Sequence, residues 1–229
     1  KWPSNPTNPH RPTSGMDRLR RNSGQWQEII PLQKSNKTIS QPHHMENQII
    51  EKADFTIDEL EPNYYECTFD KCNFSGQSIG RVIFERCTFK ECNLSLVKAS
   101  NTSWLDVLFT DCKMTGINFT LSNRFGLSVE FRNCLLSYAL FTEMKLKGTR
   151  FTRCDLQNAD FMETQLPEAK FTECDLCYAS FHHTNLEKAD FSTARNYALN
   201  PAANRLKKAR FSRYGLEGLL TGLGIEVVD

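Results

Sequence analysis

From Phe131 to Phe191 a large apolar residue recurs at every fifth position, and this spacing constrains the fold more than any other feature. The series runs Phe131, Leu136, Phe141, Leu146, Phe151 and so on to Phe191, alternating Phe and Leu without a miss. Two residues before each stands a mostly small side chain, such as Cys134, Ala139, Cys154, Ala159, Cys174 or Ala189. An α-helix repeats at about 3.6 residues and a strand at about 2, so neither produces this pattern. A looser copy in a different phase begins at Tyr64, Phe69, Phe74 and Ile79 and ends at Met114 and Phe119. Twelve residues instead of ten separate Phe119 from Phe131, which places a two-residue insertion within Thr120–Val129.

The triplets Cys154-Asp155-Leu156, Ala159-Asp160-Phe161, Cys174-Asp175-Leu176 and Ala189-Asp190-Phe191 resemble the consensus A-[DN]-L-x-x of the pentapeptide-repeat family. The resemblance covers Tyr64 to Phe191 and implies an all-β fold, a right-handed quadrilateral parallel β-helix with four pentapeptides per square coil. In such a coil the centre residue and the one two before it face inward and the other three face solvent. Stacking should then appear at period twenty, and it does. Phe131, Phe151, Phe171 and Phe191 fall in one column, with Phe141, Phe161 and Phe181 opposite and Leu on the remaining faces. In the first half Phe69, Phe89 and Phe109 stack likewise. The array predicts about six coils, a rod of roughly 30 Å at ~4.8 Å per coil.

The period also explains the cysteines. Eight of the nine (67, 72, 87, 92, 112, 134, 154 and 174) occupy the small inward position, where Cys acts as a compact hydrophobe. A metal centre would need converging thiolates, whereas cysteines one coil apart lie about 4.8 Å from each other and share each column with no His. Cys177, just after the centre Leu176, is expected to be the exposed, reactive thiol.

Outside the array the chain divides into three. Residues 1–44 are rich in Pro, Asn, Ser and Arg, with seven Lys/Arg against Asp17 and Glu28 and only Trp26, Ile29, Ile30 and Leu32 as an apolar cluster. Such a segment cannot offset its ordering entropy by burial and reads as a disordered basic leader, linker or added segment. Residues 45–63 are expected to cap the first coil of a β-helix spanning 64–199, interrupted at 120–129. Residues 200–229 are expected to close the other end. Asn200-Pro201 signals a short helix over 201–207, Ser212 a second one ending near Gly222, and Ile225, Val227 and Val228 a terminal strand.

That tail is more apolar than a cap for one coil requires, which points to an interface. Its pattern R-L-K-K-A-R-F-S…G-L…G-L-L…I-E-V resembles the tail of quinolone-resistance pentapeptide-repeat proteins. The resemblance implies a homodimer through Phe211, Tyr214, Leu216, Leu219, Leu220, Leu223, Ile225 and Val227. It also implies a function: mimicry of a DNA duplex, with binding to DNA gyrase or topoisomerase IV and relief of fluoroquinolone poisoning. Asp155, Asp160, Asp175 and Asp190 are the expected acidic surface, and Asn123, Arg124 and Phe125 in the insertion are the expected loop contacts. The acidity is modest, 22 acidic against 16 basic residues over 45–199, where a duplex carries one negative charge per about 1.7 Å. The alternative is a scaffold module with a partner that is not a topoisomerase, and the discriminator is surface charge. Acidic columns along the rod favour mimicry, while a mixed or apolar face favours another partner.

No enzyme is expected. The five His (His10, His43, His44, His182 and His183) form no catalytic set, and the chain holds no G-x-S-x-G, phosphate loop or H-E-x-x-H. No cofactor and no direct nucleic-acid contact are expected. With no run of 18 apolar residues, a transmembrane helix is not expected either. No apolar stretch follows the basic residues at the start, so the expected location is cytoplasmic.

Overall fold

The computed structural model describes residues 44–223 and Ile225. Over this range the chain is a parallel β-solenoid with four faces. Nine short strands, from Ile49–Glu51 to Arg210–Phe211, stack in one sheet, and four more, from His44–Glu46 to Ser103–Leu105, form a second. Isolated parallel bridges at Asn73↔Asn93, Lys98↔Asn118 and their successors tie the remaining two faces together. The centre residues form the core. Face one carries Tyr64, Phe84 and Trp104 and then Leu146, Leu166 and Leu186; face three carries Phe74, Leu94, Met114, Leu136, Leu156 and Leu176. Face four changes from Ile79 and Ala99 to Phe119, Phe141, Phe161 and Phe181.

Face two holds a single file of eight phenylalanines, from Phe69 to Phe211. Each ring stacks on the next with centroids 4.6 to 5.3 Å apart. Rings of different columns meet edge to face, as Phe151 and Phe161 do at 5.9 Å and 83°, which suits the quadrupole of each ring. The corners repeat as regularly as the core. The second residue after most centres adopts a left-handed conformation, as at Glu66 (φ 51°), Arg153 (φ 52°) and Lys188 (φ 59°). Its N–H then donates to a carbonyl of the next coil, 2.8 Å for Arg153 to Thr172. Corner strain is thereby offset by a backbone bond at each level.

Three expectations about the ends change. The solenoid is longer than six coils, because nine stacked strands span eight coil-to-coil steps. The segment expected to cap the first coil is itself a coil, with Met45 paired to Tyr64, Ile50 to Phe69 and Asp54 to Asn73. No helix forms over 201–207. Asn200 accepts the Ala202 N–H at 2.9 Å and opens a single turn. Asn204 then bonds the Phe181 carbonyl (2.9 Å), and Arg205 pairs with Asn185. Stacking on the coil below supplies these bonds at every level, and a short isolated helix could not match them. The second expected helix is present as a 3-10 helix, Arg213–Leu219, with the Ser212 hydroxyl accepting the Tyr214 N–H at 3.2 Å. The expected leader and terminal strand lie outside the described residues, apart from His44 and Ile225.

The cysteine columns on the two sides of the insertion are one column. Cys72, Cys92, Cys112, Cys134, Cys154 and Cys174 are all buried. The thiols of Cys92, Cys112, Cys134 and Cys174 donate to the carbonyl of a core phenylalanine one coil below, at 3.3 to 3.5 Å. In the neighbouring column burial pushes the Cys87 thiol up to about 11. These are packed side chains whose thiols donate to backbone carbonyls. Cys177 is half-buried rather than exposed, at a corner where its N–H donates to Asp175.

Candidate partner-binding surface

The interior is filled with side chains, so recognition falls to the outer surface. The one insertion among the described coils is a feature of face one. Backbone pairing keeps its usual register up to Asn123, whose N–H donates to Thr102, and is two residues out of step by Val129, which pairs with Val107. The two extra residues therefore sit among Arg124, Phe125, Gly126, Leu127 and Ser128. Trp104, directly below, explains the local chemistry: its indole N–H needs a buried acceptor and finds Ser122 Oγ at 3.2 Å.

Of the three expected loop contacts, Asn123 is structural. Its amide donates to Ser103 Oγ (3.0 Å) and its Oδ1 accepts the Phe125 N–H (3.1 Å), so it shapes the bulge from within. Arg124 reaches back to Glu143 at 3.6 Å. Phe125 points outward and is 86% exposed, the barest phenylalanine among the described residues.

The four expected acidic residues stand on the faces as corner formers. Asp155, Asp160, Asp175 and Asp190 each accept the backbone N–H two residues on, at 2.9 to 3.1 Å. Their second oxygens are also engaged. Asp155 accepts from Ser137 and Asp160 from Thr142, while Asp175 pairs with Arg195 (3.3 Å) and Asp190 with Arg210 (3.0 Å). Partial burial opposes ionisation at Asp175 and Asp190. Bonds from Asn196, Cys177 and Arg195 at the first, and from Ser192 and Arg210 at the second, outweigh it and hold both carboxyls below their ordinary value. Glu130–Arg150 and Glu168–Lys188 continue the same ladder of pairs between stacked coils. The outer charge is thus mixed and in part self-paired, with no unbroken acidic column among the described residues. The signal for the ion pairs was available in the sequence, since Arg150, Lys188, Arg195 and Arg210 each follow their carboxylate by twenty residues, one coil.

At the C-terminal end the expected dimer residues separate into two groups. Phe211 stacks on Phe191 at 5.3 Å and Leu219 packs against the core, so both are held by their own rod, and Leu220 is half-buried. Tyr214, at 95% exposure, and Leu216, Leu223 and Ile225 are free at the tip. Val227 lies outside the described residues. The latch is Tyr197, buried on the last coil, with Gly215 and Gly218 of the 3-10 helix lying directly on its ring. His182 and His183 are exposed on an outer corner. Among the described residues no group of three or more His, Cys, Asp or Glu is placed to hold a metal ion, and no helix is long and apolar enough to cross a membrane.

A family model described as a pentapeptide repeat region matches residues 63–141 and 144–219. No curated protein matches. Similar solved structures include full-length QnrB1, a plasmid-mediated fluoroquinolone resistance protein. It is 20% identical over 80% of this chain and 100% of its own, with a TM-score of 0.41. Another is HetL, a pentapeptide repeat protein involved in heterocyst differentiation regulation from the cyanobacterium Nostoc, 16% identical over 74% of this chain and 85% of its own, with a TM-score of 0.28.

Proposed function

The chain belongs to the pentapeptide-repeat family, and from that premise we propose that it is a non-catalytic rod that docks on a type II topoisomerase and protects it from fluoroquinolones. The observation carrying the docking half is that the interior is packed solid while Arg124 and Phe125 stand out from the one insertion among the described coils. The topoisomerase half rests on the tail, whose pattern from Arg205 to Val227 resembles that of the quinolone-resistance members. A homodimer through Tyr214, Leu216, Leu223 and Ile225 is part of the proposal, since four exposed apolar side chains at one tip favour burial against a copy.

The charge pattern favours recognition of the rod's shape over imitation of phosphates. Asp175 and Asp190 are already neutralised by arginines, so they offer little to a DNA-binding groove. The same observation supports the second reading, a scaffold whose partner is another protein. A gyrase supercoiling assay with ciprofloxacin separates the two. Recovery of supercoiling on titrating the purified protein is the expected result. Neither protection nor inhibition at micromolar protein would leave the scaffold reading.

A further inference from the structure

Three of the four corner columns carry charges along their length, such as Glu66 and Arg86, Lys71 and Glu91, or Glu143 and Glu163. The corner leaving face three does not. Over six successive coils its left-handed positions are Gly76, Leu96, Gly116, Tyr138, Asn158 and Tyr178. The column beside it, one residue earlier in each coil, is Ser75, Ser95, Thr115, Ser137, Gln157 and Cys177, again uncharged. In a chain with 24% charged residues, twelve adjacent outward positions without a charge form a distinct strip.

The large members are exposed, Leu96 at 65%, Tyr138 at 59% and Tyr178 at 81%, and they alternate with small residues every second coil, about 10 Å apart. They are not needed for the corner. Gly and Asn serve the same positions in alternate coils and adopt the left-handed conformation at less cost. Leu96 lies along the edge over Gly116, where any β-carbon would meet its Cδ2 at 2.8 Å. Leu135 and Leu140 flank Tyr138 and widen the strip at mid-length.

We propose that this edge, from Leu96 to Tyr178, is a docking ridge that inserts into an uncharged, apolar groove of a folded protein partner. The ridge is convex, so it fits a groove better than a flat surface. Its crest is neutral and calls for an apolar groove floor, which a charge buried there could not replace, while Lys98, Lys113, Asp155 and Asp160 on the flanking columns meet the groove's rims. A nucleic acid or an acidic membrane surface is disfavoured for the same reason. Tyr at the centre of the strip matches the residue type that anchors protein interfaces. The inference rests on the reading of the chain as a partner-binding rod and adds a second contact edge to the bulge of face one.

The test places a photo-crosslinking phenylalanine analogue at Leu96, Tyr138 or Tyr178, and at Glu91, Arg153 or Glu163 on the charged corners, in the full chain. The first probe is purified DNA gyrase, and the same panel is then run in intact cells of the source organism. Adducts from the three edge positions to one stretch of a single polypeptide, absent from the charged corners and lost when Tyr138→Ser and Tyr178→Ser are combined, are the expected result. Adducts spread equally over all corners, or none from the edge in either setting, overturn the ridge. Gyrase that binds the wild-type chain and the double variant equally overturns it too, while leaving the topoisomerase reading intact. Edge adducts in cells that fall in an apolar groove of a protein other than gyrase would sustain the ridge and sink that reading, while edge adducts to a charged surface would overturn the ridge. Unchanged melting of the double variant confirms that the fold survives.

Discussion

Phe109 and Phe131 stack at 5.3 Å and 9° although 22 residues separate them, where the neighbouring coils use 20. The core file passes the insertion without a gap, and the extra chain is expelled to the surface as Arg124 and Phe125. Two chemically similar residues six positions apart, Phe125 and Phe131, therefore have opposite roles. Phe131→Ala should cost about 3–5 kcal/mol through a cavity in the stack, while Phe125→Ala should stay within about 0.5 kcal/mol. Denaturant melts of the two variants check this.

The bulge should matter to the partner and not to the fold. Arg124→Ala combined with Phe125→Ala is expected to melt with the wild type yet lose most of the protection of gyrase. Protection titrated against protein concentration, beside a thermal melt, reads both effects.

How much of this was legible in the sequence depends on how restrictive each position is. Inward positions accept few residue types, so the period, the columns and the packed cysteines could be read directly. The first coil escaped notice because Met45, Ile50, Phe55 and Leu60 keep period five but Tyr64 follows after four residues, a slip that hid the phase. The absent helix over 201–207 shows local signals yielding to stacking, with Asn204 tied to Phe181 across the coil step. The surface was least legible. A carboxylate reads as negative until its partner twenty residues on is brought above it, as Arg195 is over Asp175.

The C-terminal latch should fail on a single methyl. At Gly218 a β-carbon would overlap the Tyr197 carbonyl and ring, and at Gly215 the Tyr197 hydroxyl. Gly218→Ala should release the 3-10 helix at a cost of about 1–3 kcal/mol. Hydrogen exchange at the Leu199 amide, which donates to the Gly218 carbonyl at 2.7 Å, reports it locally.

Acid should weaken the rod in a defined window. The carboxyls of Asp175 and Asp190 titrate below their ordinary value in the folded chain. Their contribution is therefore fully present above the unfolded value of about 3.9 and lost as pH falls through the lower folded values. Melting temperature should hold steady from pH 7 to about 5 and drop beneath 4. Asp175→Asn should melt lower at neutral pH and show a shallower acid decline.

Thiol chemistry offers an independent check on packing. Of the nine cysteines only Cys177 is not buried. A disulfide reagent should label one equivalent in the native protein and all nine after denaturation, and Cys177→Ser should abolish the native signal.

The most direct test of the account is equilibrium binding of the full chain to immobilised DNA gyrase at low and high salt. A rod whose acidic columns are broken by cations and whose edge is neutral should bind saturably, with an affinity that changes little with salt, unlike a phosphate-contacting surface. Absence of saturable binding at micromolar protein would contradict the account, and a steep loss of affinity with salt would return the explanation to acidic mimicry.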